Sequence, residues 1–368
     1  MSLVIHAKVR LIAFYLPQFH PIPENNEWWG RGFTEWRNVV KARPAFPGHY
    51  QPHLPADLGF YDLRLAETRQ AQANLATEYG IYGFCYYHYW FNGRRLLERP
   101  FNEVLQSGKP DLPLCLCWAN ENWTRAWDGR SGQVLLSQQY SDEDDLHHIQ
   151  SLIPAFRDKR YIRINGKPLF LVYRTELLPN PARTAEIWRE TAARAGIEDL
   201  YLVRVESFVR NIDPHSIGFD AAVEFAPDWG AVGDEFCSSF WSFMVTTKSF
   251  SDAYRKHVIV DYQRLCDRMT SKPVPTYKRF PGITPSWDNS PRRVKEAVIL
   301  HDSTPKKYGA WLQTAIRRTL QDPVLDERLV FINAWNEWGE GNHLEPDEKW
   351  GRAYLEATKR AVSSHSFS

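Results

Sequence analysis

Two glutamates three residues apart, Glu337 and Glu340, stand in the segment FINAWNEWGEGNHLEP (331–346), beside Trp335, Asn336 and Trp338. Along a straight strand, positions i and i+3 face opposite sides. Gly339 and Gly341 let the chain turn at once, so both carboxylates can face one cavity. Two close carboxylates do not both ionise easily: one takes a raised pKa and becomes a proton donor at neutral pH. An acid and a base a few ångströms apart suit glycosidic bond cleavage. The competing reading is that one Glu is held by an arginine from a neighbouring strand, a structural ion pair. The run before the pair, LVFI at 329–332, is continuously apolar and reads as a buried strand, so the two acids sit where a strand stops.

Seven further runs of this kind precede it: 11–15, 83–87, 113–118, 168–173, 200–205, 221–225 and a weaker one at 281–285. Amphipathic stretches at 63–79, 144–156, 182–195 and 305–320 alternate with them, the pattern of a parallel sheet covered by helices. Eight strand–helix units predict a single (β/α)8 TIM barrel with long loops at its C-terminal face. A doubly wound sheet is the alternative, but YLPQFHPIP follows the first strand where a glycine-rich phosphate loop would stand.

Each run ends in polar or aromatic residues, as barrel enzymes place their sites at the C-terminal rim. These are Gln18 and His20, then His88 and Trp90, then Asn120 and Glu121, followed by Arg174, Glu206, Glu224 with Asp228, and Trp287 with Asp288. Two connections, 16–61 and 226–277, are too long for simple turns and read as lids or subsites, the second with a helix around 252–269.

Within these loops, NENW (120–123) offers amide, carboxylate and the indole of Trp123 to sugar hydroxyls. GHYQPHLP (48–55) supplies His49, Tyr50, Gln51 and His53. Its His-x3-His spacing suits a metal, but Pro52 argues against a helix and no carboxylate or Cys partner is near in sequence, so hydrogen bonding is the better reading. Asp142 and Asp144 in SDEDD form an Asp-x-Asp pair of the type that holds a metal and nucleotide diphosphate, yet Ser141 followed by acidic residues is also a helix start. No metal and no cofactor are expected.

Composition narrows the classes. With 45 basic against 44 acidic residues, net charge +1, no global field favours nucleic acid or an anionic membrane. Five cysteines, an odd and sparse set with Cys115 and Cys117 inside an apolar run, read as buried thiols of a reducing compartment. No signal peptide and no apolar run of membrane-spanning length is visible, so a soluble, cytoplasmic protein is expected, with residues 1–10 an extension and 11–362 one domain. The departure from average is 15 Trp, seven of them before residue 130, several in polar contexts such as NNEWWGRGFTEW. Exposed aromatic platforms suit the apolar faces of sugars. A carbohydrate is the expected partner.

Taken together, FYLPQFHPIPENNEWWGRGFTEW, GHYQPHLPADLGFYDL, YGIYGFCYYHYWFNGRRLLERP, PLCLCWANENWTRAWDG, PGITPSWDNSPRR and NAWNEWGEGNHLEPD resemble the WbsX family, named for glycosyltransferases of bacterial polysaccharide clusters. That family is related to family 99 glycoside hydrolases, the endo-α-mannosidases, which are (β/α)8 barrels. The resemblance implies that Glu337 deprotonates the substrate's 2-hydroxyl, which attacks its own anomeric carbon to give a 1,2-anhydro sugar. Glu340 then protonates the leaving group and activates water or another acceptor, with net retention. Gly339 stands where many endo-mannosidases carry a bulkier residue. Transfer from a nucleotide sugar, and a non-catalytic glycan-binding barrel, are the alternatives; the latter would not need both glutamates.

Overall fold

The computed structural model describes residues 9–125, 130–232, 253, 256–293 and 295–364. Eight parallel strands form the expected barrel: β1 Arg10–Tyr15, β2 Gly83–Phe91, β3 Leu114–Trp118, β4 Lys167–Val172, β5 Tyr201–Glu206, β6 Ala221–Glu224, β7 in two pieces (Arg279–Phe280 and Gly282–Ile283) and β8 Leu329–Ile332. They pair in sequence order from β1 to β6, and β8 returns to β1, with Leu11 opposite Val330. Closure runs through β7. Its first piece pairs with β6 (Val223 with Phe280) and its second with β8 (Gly282 with Phe331).

The split has a local cause. Pro281 has no N–H to give a ladder, but its carbonyl accepts from Phe331. A Cβ on Gly282 would lie 1.9 Å from the carbonyl oxygen of Glu224, so no other residue fits where β7 crosses the end of β6.

Helices Ala66–Glu78, Arg99–Ser107, Asp142–Phe156, Pro181–Arg194, Tyr262–Thr270, Pro305–Thr319 and Ala353–Ser363 surround the strands. Most strand residues are under 5% exposed, as expected for a sheet covered on both faces. Ser141 caps its helix by accepting from the Asp144 N–H at 3.1 Å, so the acidic run is a helix start. Cys85, Cys115, Cys117 and Cys266 are buried free thiols; Cys237 lies outside the described residues. Among the described residues no helix is long and apolar enough to cross a membrane.

Three expectations need correction. The first strand begins at Arg10, which already pairs with Leu329 and so belongs to the barrel instead of an extension. In the second long connection, the helix expected around 252–269 is interrupted: Ala253 and Lys256 are helical, a strand, Val258–Asp261, follows and pairs in parallel with Val298–His301 outside the barrel, and helix resumes at Tyr262. Residues 252, 254 and 255 of the expected helix lie outside the described residues. The second strand runs on to Phe91 and folds back through a short hairpin with Arg94–Leu96.

Candidate active site

Beyond β8 the chain makes a miniature hairpin. Asn336–Glu337 pairs antiparallel with Asn342–His343, joined by a 3-10 turn over Trp338–Glu340 and closed by Gly341 at φ 54°. Asparagines fasten it. Asn336 accepts from the Leu16 N–H (2.7 Å) and donates to the Leu16 carbonyl (3.0 Å), imitating a strand backbone at the end of β1. Asn342 accepts from the Ala334 N–H (3.0 Å) and the Thr284 hydroxyl (2.9 Å).

This turn brings Glu337 and Glu340 onto one cavity of about 630 Å3. That volume lies within the ~300–1,000 Å3 usual for small-ligand sites. Its walls are aromatic. Trp28 and Tyr89 stand edge-on to Trp123, 5.7 and 5.2 Å between ring centres, and Trp229 stands edge-on to Trp287 at 5.3 Å. Gln18, Asn25, Glu121 and Asn289 add polar groups to the lining.

A single guanidinium holds the floor. Arg292 donates to Glu337 (2.9 Å), pairs with Glu340 (2.8 Å) and donates to Glu35 (3.0 Å). The turn that carries it is held by the Ser290 N–H on Asp288 Oδ1 (2.9 Å) and the Arg292 N–H on the Asn289 carbonyl (3.0 Å). One positive charge cannot neutralise three buried carboxylates, so the cluster favours holding a proton. Burial pushes the Glu337 carboxyl up to about 8; Glu340 and Glu35 add to the shift and Arg292 opposes it. Burial likewise raises Glu340, again against Arg292, and the guanidinium itself is held firmly protonated by the three acids. Tyr87 and Tyr89 line the same cavity, and both phenols are raised by burial and then by the charge of Glu337.

Of the residues expected to bind substrate, Glu121, Trp123 and Trp287 line this cavity and the others do not. Parity explains two of them: successive strand residues face opposite sides. Tyr87 and Tyr89 face the cavity, whereas His88 pairs with His148 (3.0 Å) and Trp90 donates to Asp144 (3.0 Å) in the helix layer. Asn120 is a clamp, accepting from the Arg174 N–H (2.8 Å) and donating to its carbonyl (2.9 Å).

Trp335 and Trp338 are not platforms. The first is fully buried against Phe84, and the second stacks on His343 at 3.7 Å and donates to Glu345 at 2.7 Å. Glu345 also accepts from Tyr61 (2.7 Å) and Gln72 (2.6 Å), so a buried carboxylate anchors the hairpin from beneath. Glu224 pairs with Arg279 (3.3 Å) and Lys272 (3.5 Å). His20 is 1% exposed with neither ring nitrogen hydrogen-bonded, and burial lowers its pKa to about 4. Tyr50 stacks on His53 away from the cavity.

Asp142 is paired with Arg183 at the surface and Asp145 accepts from Thr184 (2.6 Å), so the acidic run does not converge on a cavity. His49 and Gln51 both bond Asp288 at 2.6 Å, as the hydrogen-bonding reading of that loop expects. Nothing local in the sequence marks Arg292, Glu35 or the two tyrosines. Their partners are far away in the chain.

A closed parallel barrel with a carboxylate-floored cavity at the C-terminal ends of its strands has the architecture of a barrel enzyme's active site. The family profile described as Glycosyltransferase WbsX matches residues 11–358, and the chain belongs to that family. Protein WxcX from two strains of Xanthomonas campestris pv. campestris is 46% identical over 353 residues, covering 96% of this chain. The chain spans about half the length, 49%, of these relatives. Among solved structures, the GH99 endo-alpha-mannosidase from Bacteroides thetaiotaomicron shares the fold, with a TM-score of 0.58, 17% identity and coverage of 99% of this chain and 98% of that one. The same enzyme in complex with bis-tris-propane superposes with a TM-score of 0.57.

Proposed function

We propose that this domain acts on glycans as a retaining glycoside hydrolase or transglycosylase, with Glu337 and Glu340 as its proton-transfer pair. The observation that carries this reading is that one hairpin presents two carboxylates, both pushed above the ordinary range, to a single aromatic-walled cavity. In the first half-reaction Glu337 takes the 2-hydroxyl proton as O2 bonds to the anomeric carbon, and the departing oxygen takes a proton from Glu340. In the second, Glu340 removes a proton from water or a sugar hydroxyl as it attacks. Glu337 then returns its proton to O2, and the anomeric configuration is retained.

Arg292 touches both carboxyls, at 2.9 and 2.8 Å, and favours the charged form of each, so the pair can share one charge and one proton, and which carboxyl holds the proton is a property of the pair. The relationship to an endo-α-mannosidase fold makes α-mannosides of bacterial polysaccharides the first substrates to try.

Transfer from a nucleotide sugar is the reading suggested by the family's name. Against it, each acid of the Asp-x-Asp pair is engaged by a protein donor: Asp142 by Arg183 and Asp144 by Trp90. The test is incubation of the purified protein with polysaccharide fragments, with and without nucleotide sugars, following the anomeric proton of the product by NMR. Cleavage or transfer without nucleotide sugar, with retention, is expected. Turnover that requires a nucleotide sugar, or an inverted product, overturns the proposal.

A further inference from the structure

We propose that His53, His343 and Asp347 bind one divalent transition-metal ion, zinc in particular, that pins the long connection after β1 to the hairpin bearing Glu337 and Glu340. Among the described residues these three form a set whose donor atoms all lie within 4.8 Å of one another, and all three side chains are buried. His53 Nδ1 is 2.9 Å from His343 Nε2, which is 3.9 Å from Asp347 Oδ2. At zinc–ligand bonds of ~2.0–2.2 Å, tetrahedral donors sit roughly 3.4 Å apart. The His53–His343 edge therefore opens and the His343–Asp347 edge closes by about half an ångström each, while the third edge, within 4.8 Å, closes by side-chain adjustment.

The tautomer is already set. His343 Nδ1 lies 2.8 Å from the Glu345 carbonyl, which can only accept, so a neutral His343 carries its lone pair on Nε2, toward His53 and Asp347. A ring nitrogen held by a backbone carbonyl while the other ligates is the usual support of a metal-binding histidine. Both rings are braced, His343 on Trp338 at 3.7 Å and His53 on Tyr50 at 4.2 Å.

Asp347 supplies the charge argument. It is 3% exposed, and among the described residues neither Lys nor Arg lies within ion-pair distance of it; its neighbour at that range is His343. Buried carboxylates are ordinarily paired with a cation or ligate a metal. One Asp347 oxygen accepts from the Trp350 N–H (2.6 Å), leaving the other for an ion. The buried Tyr50 hydroxyl lies beside Asp347, whose charge it feels, where it can meet a water completing the tetrahedron. The partner that the His-x3-His segment lacks in sequence is thus supplied from about 290 residues away.

The test uses the full chain stripped of metal and titrated with zinc sulfate alone. Expected are one zinc per chain by elemental analysis and calorimetry, a melting temperature that climbs with zinc concentration, and visible d–d absorption of a tetrahedral site when cobalt replaces zinc. His53→Ala and Asp347→Asn are each expected to weaken binding at least about tenfold. His49→Ala should leave stoichiometry at one, because its ring is committed to Asp288. Should the variants fail to fold, the wild-type stoichiometry and cobalt spectrum decide alone. Negligible zinc uptake with an unmoved melting temperature, an octahedral cobalt spectrum, or binding that survives loss of His53 overturns the proposal.

Discussion

Glu337→Gln is expected to lower turnover by ~10²–10⁴-fold on every substrate, the usual worth of general acid–base help. The base for the 2-hydroxyl is needed whatever group departs. Glu340→Gln should cost as much on a natural glycan but far less on an activated aryl glycoside, whose phenolate leaves without a proton. The double variant should be little worse than the worse single one, since members of one catalytic unit are not additive. Steady-state kinetics on a paired glycan and aryl glycoside reads all three. A substrate lacking the 2-hydroxyl should bind without reacting; its normal cleavage would instead call for a direct carboxylate nucleophile. Because burial raises both carboxyls, the bell in kcat/KM should sit above the ordinary carboxylate range, and its limbs belong to the pair jointly. Full activity in both single variants would remove these residues from the mechanism.

Arg292→Met is the second large effect, and it concerns stability. Removing the partner of a buried charge typically costs ~3–5 kcal/mol, and here the loss takes from Glu35, Glu337 and Glu340 the cation that touches all three. The sign with pH follows from the raised carboxyls. A carboxyl whose folded pKa lies above its unfolded one is fully tolerated in acid, where both states hold the proton; it costs stability as pH rises through the folded value. Without the guanidinium those folded values move higher still. The deficit against wild type should therefore be smallest near pH 5 and grow toward about pH 9, as pH rises through the wild-type folded values, that of Glu337 at about 8. Thermal melts across that range check it, and a gap that is constant or widens toward acid would show that Arg292 does not compensate these acids.

The barrel was legible because its eight strands are buried on both faces and so read as apolar runs, whatever lies between them. Only the seventh was faint, since Pro281 and Gly282 interrupt it for reasons that involve Glu224 of the neighbouring strand. The two catalytic candidates were legible from their spacing and the glycines beside them. Their surroundings were less so. His88 and Trp90 attract notice as polar and aromatic residues, yet a single-residue difference in facing sends them outward and Tyr87 and Tyr89 inward. Asn120 and Asn336 look like sugar ligands by composition, but both copy backbone hydrogen bonds across strand ends. Arg292 sits in a motif that resembles the family, but nothing local says that its charge meets Glu35, 257 positions earlier.

Gly339 ties these strands together. A Cβ there would fall 2.1 Å from Glu35 Oε1 and 2.8 Å from Arg292 Nε, so the ion pair occupies the room that a side chain at this position would claim. The three positions are therefore expected to change together. A lineage that acquires a larger residue at 339 must lose or relocate the acid at 35 or the arginine at 292, and one that keeps the triple contact must keep the glycine. Variation across relatives should then be written in linked changes at 35, 292 and 339, with intermediates that break the set purged. The floor of the cavity would change in one step between a three-acid cluster and a two-acid pair.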